Sequence, residues 1–276
     1  MQFGILGALE VTDGEHHLPL RSIKQRSLLA MLLCHHGTVA HSDILIDALW
    51  GAEAGETGSQ RLRLQLHRLR RMLGTSAVIE HQSTGYQLRV PPDSVDAWRF
   101  ERLVREGRQA LESRSLARGS DLLRAALDMW RGPALSGLDD ISFLHHQATR
   151  LDEQRLAALA DRIDADLRLH RHAELVGELS SLVREHPLRE RFRGQLMLAL
   201  YRGGRQAEAL EVYRDGRHIL AQDLGLEPSL ELRRLQVAIL TSDSSLSDGR
   251  SPGRAVHRRG ELRHGRGCPH CSRRLR

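Results

Sequence analysis

The apolar positions of the chain change period several times, and each change marks an element. Residues 2–20 carry short apolar runs, "FGILGALEV" and "HHLPL", around the polar "TDGE", a pattern that predicts a small antiparallel sheet. Helical spacing follows. In "RSIKQRSLLAMLLCHH", Ile23, Leu28, Leu29, Leu32 and Leu33 share one face, and Gly37 closes the segment. "HSDILIDALWG" predicts a shorter second helix, with Ser42 as its cap and Gly51 as its stop. A polar loop, "AEAGETG", leads into a third, "QRLRLQLHRLRRML", residues 60–73. The runs "AVIEHQ" and "YQLRV" then flank "STG", a hairpin signal. "VPPDSVD" breaks the pattern and marks a domain boundary.

The third helix has two unlike faces. At about 100° per residue, Leu62, Leu66, Leu69 and Leu73 fall on one side. Gln60, Leu64, His67, Arg68 and Arg71 fall on the other, with Arg61, Arg63 and Arg70 on the flanks. The leucine stripe must be buried, which turns the arginines outward. Thr57 and Gln60 have the spacing of a capping box. A sheet, three helices with a basic third, and a hairpin are the elements of a winged helix, whose third helix enters the major groove. The candidate DNA contacts are therefore Ser59, Arg61, Arg63, Leu64, His67, Arg68, Arg71 and Thr84. The arginine fork matches both phosphate oxygens and the O6/N7 edge of guanine. Ser59 and Arg61 sit at the end of the helix that points at bases. Leu64 reads equally as an exposed leucine or as a partner for a thymine methyl. His67 reads as a phosphate donor or as a plain surface histidine. Thr84 lies at the hairpin tip, and Tyr86 packs the hairpin on the body.

From Asp96 to Leu240 every segment has helical period, punctuated by "RGPAL", "HRH", "EHP", "RGGR" and "DLGLEP". "RHAEL" at 171–175 recurs as "RQAEA" at 205–209, a spacing of 34 residues, which is the period of tetratricopeptide helix pairs. Gly204 at the turn, Ala209 at a close crossing, and Tyr201 and Tyr213 as large knobs suit that packing. Trp50, Trp98 and Trp130 read as core or interhelical packing.

Charge changes the picture only at the end. Residues 241–276 hold nine arginines against Asp243, Asp248 and Glu261, which is the whole formal net charge of +6, so the other 240 residues are neutral. DNA binding must then rest on clustering in the third helix, while the tail, expected to be disordered, supplies sequence-independent attraction. Lys24 is the one lysine, a coding bias rather than a function. Among three cysteines, Cys34 reads as a buried small hydrophobe. "CPHC" at 268–271, beside His264, lacks a second paired motif, so no metal is expected. No signal peptide, membrane span, phosphate loop, H-E-x-x-H or G-x-S-x-G stands out, so the chain reads as a cytoplasmic non-enzyme without cofactors.

The stretches "LGALEV", "KQRSLLAMLL", "ILIDALWG", "LHRLRRMLG", "GYQLRV", "FERLVREGR", "LDMWRGPAL" and "DLGLEPSLELRRLQ", with the two repeat copies, resemble the Streptomyces antibiotic regulatory protein family over nearly all of residues 1–240. The resemblance implies a mainly α fold: an OmpR/PhoB-type winged helix with a small β-sheet and wing hairpin (1–92), then an all-α tetratricopeptide-like bacterial transcriptional activation domain (96–240). It implies an activator of a secondary-metabolite gene cluster, nucleoid-associated, that binds direct repeats near a promoter as a homodimer or higher. It also implies contact with the sigma factor or alpha subunit of RNA polymerase; in OmpR-type proteins the loop beside Trp50 can face the polymerase. The ATPase module of larger relatives is not apparent, so a short form is expected. The alternative is a helical-repeat adaptor that does not bind an operator. Residues 1–92 are expected to fold alone.

Overall fold

The computed structural model describes residues 1–75 and 77–246. Strands β1 (Gln2–Gly4), β2 (Glu10–Asp13) and β3 (His16–His17) form an antiparallel sheet in that order, with Phe3 opposite Val11. Helix α1 (Ile23–Cys34), strand β4 (Ala40–His41), helices α2 (Ser42–Trp50) and α3 (Gly58–Leu73), and the hairpin β5 (Val78–Gln82)–β6 (Gly85–Arg89) follow. The second sheet has the order β4–β6–β5. This is the expected winged helix.

Helix α1 is more deeply enclosed than a one-faced amphipathic pattern implies. Every residue from Ser27 to Leu33 is buried, because α2, α3, β6 and the later helix α6 surround it. Ile23, expected on the buried face, is 44% exposed, since the first turn projects beyond that ring. Two expected caps also differ. His41, not Ser42, occupies the N-cap of α2; the Ser42 amide instead donates to the carbonyl of Thr84 at 3.0 Å. Thr57 accepts no amide bond. Its hydroxyl donates to Ala54 O at 3.3 Å, because after a break at Gly55 the chain is already helical at Thr57, which leaves no capping geometry. Gly58 starts α3 where α2 comes close: a Cβ there would lie 2.8 Å from Ile46 Cγ2.

Helices α4 (Asp96–Glu112), α5 (Leu116–Leu127), α6 (Ser142–Arg168), α7 (His172–Glu185), α8 (Glu190–Arg202), α9 (Gln206–Leu224) and α10 (Leu230–Leu240) complete the chain. Helix α4 packs on α5, α5 on α6, α7 on α8 and α8 on α9, with α10 against α8 and α9. The turns after α4, α6 and α8 carry left-handed residues at Arg114, His170 and Gly204 (φ 61, 61 and 75°). The latter two are 34 residues apart, as the repeat requires. Ala209 is fully buried and Tyr213 nearly so, as the packing pattern predicts.

The break at "VPPDSVD" is not a gap in packing. One apolar core runs from Phe3, Ile5 and Leu33 through Val95, Trp98 and Phe100 to Leu144 and Leu151. The Asp96 carboxylate accepts the amides of Ile5 (2.8 Å) and Leu6 (3.1 Å) and pairs with Arg131 (3.0 Å). The amides of Arg131 and Leu135 donate to Leu6 O and Ile5 O. Trp98 Nε1 donates to Leu33 O at 3.2 Å, and His36 stacks on the Trp98 ring. The expectation that residues 1–92 stand alone meets a shared core: much of the packing around them comes from beyond residue 92. Helix α6 is the spine. Its first half enters this core through Leu144, Ala148, Leu151 and Ala158; its second half enters the repeat core through Ala160, Ile163 and Leu167.

Order also continues past Leu240, where the disordered tail is expected to begin. Residues Ser244–Leu246 form a 3-10 turn, Leu246 is buried, and Arg202 Nε donates to its carbonyl at 2.7 Å. The rest of the expected tail, with "CPHC" and His264, lies outside the described residues. Among the described residues no helix is long and apolar enough to cross a membrane.

Candidate nucleic-acid interface

Helix α3 buries Leu62, Leu66, Leu69 and Leu73 and exposes Gln60, Leu64, His67, Arg68 and Arg71, the division that its period predicts. The amphipathic stripe therefore sets the roll of the helix about its axis. Among the described residues, His67, Arg68 and Arg71 have no hydrogen-bond or ion-pair partner, so their donors face solvent. Leu64 is 49% exposed on the same face.

The remaining arginines are partly engaged. Arg61 Nη1 donates to Glu53 O at 3.1 Å, and Arg63 Nε to Ser59 O at 3.3 Å, both on the exposed side. Arg70 is different. Its Nε and Nη2 both donate to Ile79 O, at 3.0 and 2.7 Å, and so bind the C-terminal half of α3 to the first strand of the hairpin. The other end of the hairpin is held by the Ser42 amide on Thr84 O, which uses one of the free amides at the start of α2. Thr84 is thus at the wing turn with its side chain exposed. Tyr86 is buried and meets His81 edge to face, so it packs the wing as its sequence position suggests.

Between the start of α2, the first half of α3 and the wing lies a groove of about 550 Å³ lined by Ser42, Ser59, Arg63, Arg70, His81 and Tyr86. The fold brings Ser59 and Arg63 to this groove, places Leu64, His67, Arg68 and Arg71 on the exposed ridge of α3, and sets Thr84 at the wing. Ser42 and His81 are the lining residues that sequence reasoning missed. The period of two in β5 would have found His81, which shares its face with the buried Ile79 but lies two residues beyond it, past the edge of the core. The outward cations and the groove together present donors with no acidic residue in the lining, which is chemistry for phosphate and base edges. Elsewhere, burial pushes the Cys34 thiol up to about 12, which keeps it protonated and unreactive.

Residues 18–88 match the family described as "Transcriptional regulatory protein, C terminal", and residues 95–240 match "Bacterial transcriptional activator domain". Regulatory protein DnrI of Streptomyces peucetius is 36% identical over 256 residues, which are 89% of this chain and 94% of that protein. Regulatory protein AfsR of Streptomyces coelicolor is 41% identical over 249 residues; the match takes in 90% of this chain but spans only 25% of AfsR. Among solved structures, Mycobacterium tuberculosis EmbR, in complex with a low affinity phosphopeptide, superposes with a TM-score of 0.85 at 32% identity, covering 90% of this chain and 68% of that one.

Proposed function

Because the chain belongs to the Streptomyces antibiotic regulatory protein family of transcriptional regulators, we propose that it binds direct-repeat operator DNA through α3 and the wing and activates a secondary-metabolite gene cluster. One observation carries the reading. The leucine stripe of α3 is wholly buried, so Arg68 and Arg71 point outward beside a wing that Arg70 holds in place. In this reading Arg61, Arg63, Arg68 and Arg71 meet phosphates or guanines, Ser59 lies at the end of α3 that points at bases, His67 donates to a phosphate, Leu64 meets a thymine methyl, and Thr84 follows the minor-groove edge. The helical repeats join copies on adjacent sites and reach RNA polymerase through its sigma factor or alpha subunit.

Gel-shift titrations of the full chain on the promoters of its own gene neighbourhood test this. A shift at promoters with direct repeats, cooperative on two repeats and weak on one, is expected. No shift on any of them would favour an adaptor that works through protein contacts alone.

A further inference from the structure

We propose that the end of the helical-repeat domain, where α6, α8 and α10 close, is a binding site for a small oxyanion: a compound carrying a phosphate monoester or a carboxylate. A cavity of about 350 Å³ opens there, lined by His170, His172, Tyr201, Arg202, Gln206 and Ser242, with Gly204 at its rim. Donors line it and no carboxylate does.

Three features converge. First, among the described residues Arg202 is a cation without an acidic counterpart. Its Nε and Nη1 donate to the neutral carbonyls of Leu246 and Leu167, both at 2.7 Å. Burial lowers its pKa, and no acidic neighbour offsets that effect. A partly desolvated guanidinium is stabilised by an anion, which two carbonyls do not supply. Second, the His172 imidazole lines the cavity, although its unpartnered Nδ1 is itself turned away from solvent. Third, His172 and Gln206 are the first residues of α7 and α9, so two helix N-termini, with their outward amides, open on the same cavity.

Three helices end here on left-handed residues: His170, Gly204 and Ser242 (φ 61, 75 and 51°). Arg114 takes the same conformation in the turn from α4 to α5, so it belongs to these helix turns. At His170 and Ser242 the chain keeps side chains that can bond to a ligand.

Isothermal titration of the full chain at 0.15 M chloride, with inorganic phosphate and separately with citrate, tests the site. The wild type should take up at least one of the two at a single saturable site, and the preferred probe identifies the head group. His172→Ala should weaken that binding about tenfold or more with an unchanged melting temperature, because Nδ1 has no partner to lose. Arg202→Met should abolish binding. Attraction to the arginines beyond residue 246 is common to wild type and variants, so the difference isolates the cavity. Identical isotherms for wild type and His172→Ala, or no saturable uptake of either probe by the wild type, would overturn the proposal.

Discussion

Arg70 and Arg71 are neighbours in sequence with opposite duties. Arg70 gives two bonds to Ile79 O, whereas Arg71, like Arg68, has no partner among the described residues. Arg68→Ala and Arg71→Ala should therefore leave the melting temperature unchanged. Each should weaken operator binding by about 1–3 kcal/mol where the contact is to a base, or reduce the salt slope by about one where it is to a phosphate. Arg70→Ala should lower stability by about 1 kcal/mol and weaken binding only through a looser wing. Thermal melts beside fluorescence anisotropy at several salt concentrations separate the two kinds; wild-type affinity in both Arg68→Ala and Arg71→Ala would remove α3 as the reading helix. The outward set was legible because strict leucine spacing leaves one possible roll. The private use of Arg70 was not, because Ile79 O is a backbone atom of another element and no side-chain pattern encodes it.

At the scale of elements, α6 ties the molecule together through a charge cluster as well as through its two cores. Asp166, fully enclosed, accepts from Ser120 Oγ (2.7 Å) and Arg124 (3.1 Å) of α5, from Arg162 (3.1 Å) on its own helix, and from Arg171 (3.0 Å) in the turn to α7. Arg162, also buried, reaches Glu178 of α7 as well. Removing the carboxylate leaves a buried guanidinium short of its main counter-charge. Asp166→Ala should thus cost about 3–5 kcal/mol in urea unfolding, far more than removal of an exposed pair such as Arg217–Glu227. A loss below about 1 kcal/mol would show that the cluster is only a solvated crossing point. Sequence reading found these helices and the repeat, since period and turn residues are local. The cluster has no such local signal, because the partners of Asp166 outside its own helix come from α5 and the turn to α7. The missed caps have a similar origin. Thr57 and Gln60 have the right spacing, but the chain is already helical at Thr57 and offers no extended N-cap residue.

For the whole molecule, the consequence is that the first 92 residues share one apolar core with α4, α5 and α6. Val95, Trp98, Phe100, Leu144 and Leu151 lie beyond residue 92 and are buried against the side chains of the first 92 residues or against one another. Burying five such side chains is worth on the order of 10 kcal/mol, as large as the entire stability of about 5–15 kcal/mol typical of a domain. Cutting after residue 92 also removes Asp96, so the amides of Ile5 and Leu6 lose their acceptor, and it uncovers Leu33 and Phe3. A fragment of residues 1–92 should consequently keep helical circular dichroism but melt without a sharp transition and bind the dye ANS, as loosely packed chains do. Its failure to shift operator DNA would then reflect lost folding rather than lost contact with a second copy. The full chain should melt cooperatively under the same conditions. A sharp two-state transition in the fragment, within a few degrees of the full chain, would show that the shared core is dispensable. The sequence break at 90–96 was legible as a boundary because proline and aspartate interrupt the period. That Asp96, the last residue of the break, seals the N-terminal sheet was not legible, since one carboxylate at a helix start looks like an ordinary first-turn acid. In the proposed reading, with the junction sealed in this way, the spacing between operator repeats that the protein tolerates should be set by the distance from α3 to the repeat surface rather than by the length of a linker.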